Sequence, residues 1–207
     1  MALVGYLVNT KQGLTGDPGS MYNYILASNG VFVRGENEYL KATVPIQELS
    51  LPVDREARQT HLVRGLLPLR ADLQLTHGLV PDELWQNVYW LLTTLKVETF
   101  IAILWEKDHY RAEIPLQLSS PGRVKYATVP GTMIEVHSHP DGALWFSSTD
   151  DDDELGLGVY GVACRMADGR FQTQWRVGIY GQFQVMPPEK IFQGGVDDVQ
   201  ASLGGPA

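Results

Sequence analysis

The chain has 207 residues, 44% of them hydrophobic, and a formal net charge of −8. That length and apolar content allow a substantial core in one or two domains, while the acidic balance, with no basic stripe to offset it, excludes general binding to a phosphate backbone. A single cysteine, Cys164, excludes an intrachain disulfide and a thiolate-rich structural zinc site.

Met1 to Tyr6 lacks the charged start and cleavage site of a secretory leader, and no apolar run approaches bilayer-spanning length, so a soluble, cytoplasmic protein is expected. Residues 1 to about 20, rich in glycine and polar side chains, are predicted to form a loosely held start. Two β-prone runs, 22–27 and 31–34, flank Ser28-Asn29-Gly30, a strong hairpin signal, and residues 39–46 can add a third strand. Prolines and polar breaks around Val63-Arg64-Gly65-Leu66-Leu67-Pro68-Leu69 make 47–78 an ordered connector. Residues 1–76 thus read as a small β-rich N-terminal module with its connector.

A helix is predicted to start at Pro81, with Asp82 and Glu83 near the positive end of its dipole. Leu84, Val88, Leu91, Leu92 and Leu95 follow helical spacing and form its buried stripe. Strands are predicted over 98–105 and 110–118, joined by the polar turn Glu106-Lys107-Asp108-His109, and over 132–137. Beyond a short acidic helix, 157–164 and 171–180 read as two more strands around Ala167-Asp168-Gly169-Arg170, with Phe171, Thr173, Trp175, Val177 and Ile179 sharing one face. Cys164 reads as a buried strand thiol. His61, His77 and His109 need no function, and residues 194–207, with Leu203-Gly204-Gly205, read as a flexible tail.

The chemistry concentrates between 137 and 150. Side chains two apart on a strand share a face, so His137 and His139 can chelate one ion. Imidazole suits zinc, and catalytic zinc takes three protein ligands with one position left for water, which makes Asp150 the natural third donor. Ser147 stands three residues before Asp150, the spacing of a helix N-cap and its N3 partner. A short helix could therefore present both side chains towards the histidines, and the same spacing also reads as nothing more than a capping box. The run Asp150 to Glu154 reads as the solvated, negatively charged start of that helix rather than a second, oxygen-ligand metal site.

His137-Ser138-His139, seven residues, then Ser147-x-x-Asp150 closely resembles the JAMM signature of the MPN (JAB1/MPN/Mov34) metalloprotease family. Trp145 to Glu154 and Arg176-Val177-Gly178-Ile179-Tyr180-Gly181 are similar, more specifically, to bacterial JAB proteins of the PRTRC-system protein A type. The resemblance covers about half of the chain, from 81 to about 190. It implies an α/β (α+β) fold, an MPN/JAB core with a mixed, curved sheet flanked by helices, as a catalytic domain over 77–193. It also implies a glutamate base on an upstream strand. Val97-Glu98-Thr99-Phe100-Ile101-Ala102-Ile103-Leu104 is similar to the family's E-T-x-G-I-L strand and offers Glu98, although Ala102 and the residues after Leu104 lack the glycines often found there. Alternatively Glu98 ends the preceding helix or pairs with Lys96. Glu135, two before His137, is the competing carboxylate.

From the resemblance follows a zinc-dependent metalloprotease, holding one Zn2+ per chain on His137, His139 and Asp150. Glu98 would handle the proton of the activated water, and Ser147 would donate to the oxyanion. The implied substrate is a peptide or isopeptide bond at the C-terminus of a ubiquitin-like protein, a deubiquitinase-like activity, with E1-like or E2-like proteins as possible partners. Asp141-Gly142-Ala143-Leu144-Trp145-Phe146 would line the cleft, with Trp145 and Phe146 as substrate contacts or as loop anchors. The alternative is a non-enzymatic MPN scaffold or partner-binding module in a bacterial ubiquitin-like or plasmid- or phage-associated system. A zinc deaminase would need H-x-E with P-C-x-x-C, and a zincin H-E-x-x-H; neither pattern occurs.

Overall fold

A computed structural model describes residues 2–48, 63, 65–95, 97–120, 123–139, 144–166 and 170–194. Among these, the chain forms two compact units. One comprises the residues up to Thr76 with Leu155–Leu157 and Val177–Gln184; the other comprises His77–Glu154, Gly158–Arg176 and the residues from Val185 onward.

The first unit carries a six-stranded sheet in the order β2-β1-β3-β4-β5-β6, with β1 Val4–Thr10, β2 Gly13–Asp17, β3 Tyr22–Ala27, β4 Gly30–Glu36, β5 Leu40–Glu48 and β6 Asp72–Leu75. The β3–β4 hairpin turns at Ser28-Asn29 as the sequence indicates. Along β3, Ile25 and Ala27 are fully buried while Leu26 between them is exposed, the period of two expected of a half-buried strand. The Asn29 side chain exchanges two hydrogen bonds of 2.8 Å with the backbone of Leu69, which fixes the described part of the connector. The expected loose start is overturned. Residues 4–17 form a hairpin whose first strand pairs in parallel with β3, Tyr6 opposite Tyr24. Gly5 and Gly16 lie within the two strands and Gly13, at φ 100°, opens the second of them just after the turn, while the apolar Val4, Leu7 and Val8 belong to the first.

The second sheet runs β14-β13-β12-β11-β7-β8. Its strands are β7 Phe100–Glu106, β8 His109–Glu113, β11 Thr132–His139, β12 Leu157–Arg165, β13 Phe171–Ile179 and β14 Gln182–Val185. Two short strands, β9 Gln117–Ser120 and β10 Arg123–Tyr126, pair with each other alone. The expected strand over 110–118 breaks at Pro115, whose missing N–H cannot serve a ladder. Between β7 and β8, Lys107 and Asp108 both hold positive φ, 51° and 64°, as a two-residue hairpin turn requires.

Helix α1, Asp82–Thr94, starts one residue beyond the expected Pro81, which is its N-cap and not its first helical residue, and its buried face is Trp85, Val88, Tyr89 and Leu92, whereas Leu95 is 40% exposed. The stripe is rotated towards the aromatics because Trp85 packs with Trp175 and Phe192 at ring separations of 4.6–5.2 Å. Each such buried ring removes enough apolar area from water to stabilise by about 1.5–3 kcal/mol. Gly161 on β12 makes room for this cluster, since a Cβ there would stand 2.3 Å from the Trp175 ring. Cys164 on β12 is buried, as expected.

The expectation of a helix-flanked α/β core is corrected. Among the described residues the protein is mostly β, with three sheets, one helix of 13 residues and one, α2 Ser148–Asp153, of six. The chain itself contains a single long apolar stripe at helical spacing; further flanking helices came only from the resemblance. Residues 4–10, 13–17, 123–126 and 182–185, where the sequence pattern predicts no strand, are strands. No described helix is long and apolar enough to cross a membrane. His61, Arg64, Lys96, the loop at 140–143, most of the 167–170 turn and the tail from 195 lie outside the described residues.

Candidate metal centre

Strand β11 is buried along most of its length and is held on both sides, antiparallel to β7 and parallel to β12. Its period of two sends Glu135, His137 and His139 into one cleft, which Glu98, Phe100, Tyr126, Ser147, Asp150 and Glu154 also line. The cleft measures about 210 Å³. That is smaller than the roughly 300–1,000 Å³ that encloses a drug-sized ligand, and suits a small or extended group.

At the end of β11 the Nε2 atoms of His137 and His139 stand 2.9 Å apart. Asp150 brings Oδ1 to 3.3 Å from the first and Oδ2 to 4.0 Å from the second. Zinc–nitrogen and zinc–oxygen bonds of about 2.0–2.1 Å at tetrahedral angles put neighbouring ligand atoms roughly 3.3 Å apart, so the donor set fits a single ion. Among the described residues this is the one group of three whose ligand atoms, all within 4.8 Å of one another, could hold a metal ion. Two imidazole nitrogens this close need a shared proton or a cation between them.

Asp150 is placed by its own helix. Ser147, at the N-cap of α2, donates its N–H to Asp150 Oδ2 at 2.6 Å and accepts from the Asp150 N–H at 3.2 Å, a complete capping box. The bland reading of the spacing and the ligand reading are thus the same structure, because the cap orients the carboxylate. Accepting at Oγ leaves the Ser147 hydroxyl proton available as a donor towards the cleft. Burial pushes the Asp150 carboxyl up, but the hydrogen bond and charge of His137, with the Ser147 contacts, outweigh it and hold the group well below the usual carboxylate range. The ionised form is the one that can bind a metal ion.

Glu98 precedes β7 and is buried. Its position is set by Ser138, the residue between the two histidines. The Thr99 N–H donates to Ser138 Oγ, and the Ser138 N–H donates to the Thr99 carbonyl, both at 3.0 Å. The middle of the H-S-H triplet thereby ties the chain bearing Glu98 to the strand bearing the two histidines.

The other carboxylates differ. Glu135 is pushed up chiefly by burial, opposed by a long 3.5 Å hydrogen bond from the Tyr126 hydroxyl and by His137. Tyr126 lies flat on Phe100, ring centroids 3.5 Å apart, and burial together with Glu135 pushes its phenol well up, so it remains a neutral donor. Glu154 is raised to about 7 by burial even against Arg176.

All five residues singled out in the sequence therefore line one cleft. Thr149 also lines it, while Trp145 is 64% exposed and Phe146 lies under the Arg176 guanidinium, 3.8 Å from its ring centre, as an anchor. His77 stacks on Trp105 and His109 is exposed; neither joins the site. Sequence reasoning missed Ser138, Tyr126 and Arg176. The first was visible inside the triplet; Arg176 stands in a stretch singled out for its likeness alone, without a role, and Tyr126 carries no local signal. No protein-family model matches the chain, and no curated protein sequence is significantly similar to it.

Proposed function

We propose that the protein is a zinc-dependent hydrolase of the JAMM type, which cleaves a peptide or isopeptide bond next to the C-terminus of a ubiquitin-like protein. The observation that carries this reading is the meeting of Glu98, His137, His139, Ser147 and Asp150, spread over more than fifty residues of chain, in one small cleft. Two imidazoles and a carboxylate suit zinc better than the harder divalent ions. The ion, when bound, supplies a Lewis acid for the scissile carbonyl and lowers the pKa of a water from about 16 towards 7.

The chain's own residues provide the rest. Glu98, held at the end of β11 through Ser138, takes the proton of the attacking water and passes it to the departing amine, a transfer commonly contributing about a hundredfold or more. Ser147 gives its hydroxyl proton to the developing oxyanion. The stacked Tyr126 and Phe100 rings line the same cleft as Glu98. An extended substrate end would add backbone hydrogen bonds to the affinity.

Zinc content and cleavage of a panel of ubiquitin-like fusions, measured on wild type, on His137→Ala/His139→Ala and on Glu98→Gln with chelator controls, test the reading. One zinc per chain in wild type and Glu98→Gln, none in the histidine variant, and cleavage by wild type alone are expected. A zinc-replete wild type that binds no metal would overturn it.

A further inference from the structure

We infer that Arg176 is a positioning residue for this metal centre: it clamps α2 so that Asp150 and Ser147 meet the histidines. The inference rests on the metal-centre reading above. Helix α2 has six residues, none of them buried, and four consecutive aspartates from Asp150 to Asp153. Isolated helices shorter than about 12–15 residues are marginal, and like charges in one turn repel. No apolar face docks this helix, so neither propensity nor packing fixes the third ligand.

Arg176 supplies what is missing. It sits in the buried stretch of β13 at 6% exposure. Its Nε donates to Glu154 Oε2 at 2.8 Å, its Nη2 lies 2.6 Å from the same oxygen, and its Nη1 donates to Asp151 Oδ1 at 2.5 Å. Its flat face covers the Phe146 ring at 3.8 Å. Phe146 precedes the N-cap and Glu154 follows the last helical residue, so one side chain grips the segment at both ends and in the middle. Within that grip lie Ser147 and Asp150. A planar fork that stacks on one surface while binding two carboxylates is specific to arginine; lysine offers a point charge without a face.

Outer-shell partners of a ligand typically contribute 10–100-fold to metal affinity. The test is zinc affinity, by competition with a chelator, and the visible spectrum of the cobalt(II)-loaded full-length protein, in Arg176→Met, Arg176→Lys and Arg176→Met/Glu154→Gln. The last variant removes both buried charges together and so avoids an uncompensated carboxylate that could unfold the chain. Expected is a 10–100-fold loss of zinc affinity in both Met variants, a smaller loss in Arg176→Lys, and a changed cobalt spectrum, while the urea midpoint of the double variant stays near that of wild type. An affinity and spectrum equal to wild type in the folded double variant would overturn the clamp and leave the metal centre standing. A wild type that binds neither ion would overturn the metal centre itself.

Discussion

The two halves of the candidate centre are built on different principles. His137 and His139 project from β11, whose neighbours Ile134 and Val136 are fully buried and whose backbone is paired on both sides. Asp150 and Ser147 project from α2, which buries nothing and is held by a capping box and by Arg176. The strand half therefore inherits the stability of the core and can lose its geometry only with the sheet. The helix half depends on a few polar contacts and can loosen alone. If the group holds a metal ion as proposed, this division gives it a fixed pair of imidazoles and an adjustable third donor.

The largest expected effect lies on the rigid half. His137→Ala/His139→Ala removes two of three donors and should abolish zinc retention at any practical concentration, measured as metal content after desalting. Glu98→Gln keeps the shape of the residue beside that half and should lower turnover by about a hundredfold or more with zinc content unchanged. Equal turnover would show that the buried carboxylate is structural and would shift attention to Glu135, the other carboxylate on the histidine face.

On the adjustable half, Ser147→Ala removes two things at once. Loss of the cap should cost about 0.5–2 kcal/mol in urea unfolding if the helix is coupled to global stability, and loss of the donor should cost on the order of a hundredfold in rate. Because α2 buries no residue, the stability cost should fall at the low end while zinc affinity falls too, since Asp150 loses the partner of its backbone N–H. A large stability loss with unaltered affinity would mean that the helix is part of the core after all.

The same division explains what the sequence could and could not disclose. A strand reads out locally, because period two places His137 and His139 on one side whatever the rest of the fold does. The cap reads out locally too, because Ser147 and Asp150 are neighbours. Glu98 was legible as a charge ahead of an apolar run, although the ladder starts two residues later, at Phe100. What escaped is non-local. Arg176 is 22 residues from Glu154 and looks like an ordinary outward residue on an alternating strand. Trp85 and Tyr89 displace the leucine stripe of α1 because partners on β13 and near the C-terminal end lie on that side. The helix-flanked architecture failed for the opposite reason: it rested on likeness and not on helical periodicity in these residues.

A smaller effect separates sheet from helix by pH. Tyr110 on β8 donates its hydroxyl to the Gly78 carbonyl at 2.6 Å, and burial pushes its phenol up to about 12. The unfolded chain ionises at about 10, so the neutral, hydrogen-bonded phenol favours the folded state fully below pH 10. That contribution is lost as pH rises from about 10 through 12. Urea midpoints should fall over this window in wild type and fall less in Tyr110→Phe, which starts from a lower value for want of the hydrogen bond. Because Tyr110 belongs to the sheet that carries the histidines, zinc release in this window should coincide with unfolding. In Ser147→Ala near neutral pH, by contrast, zinc should leave a chain that is still folded. Coincident release and unfolding in both cases would erase the distinction between a rigid and an adjustable half.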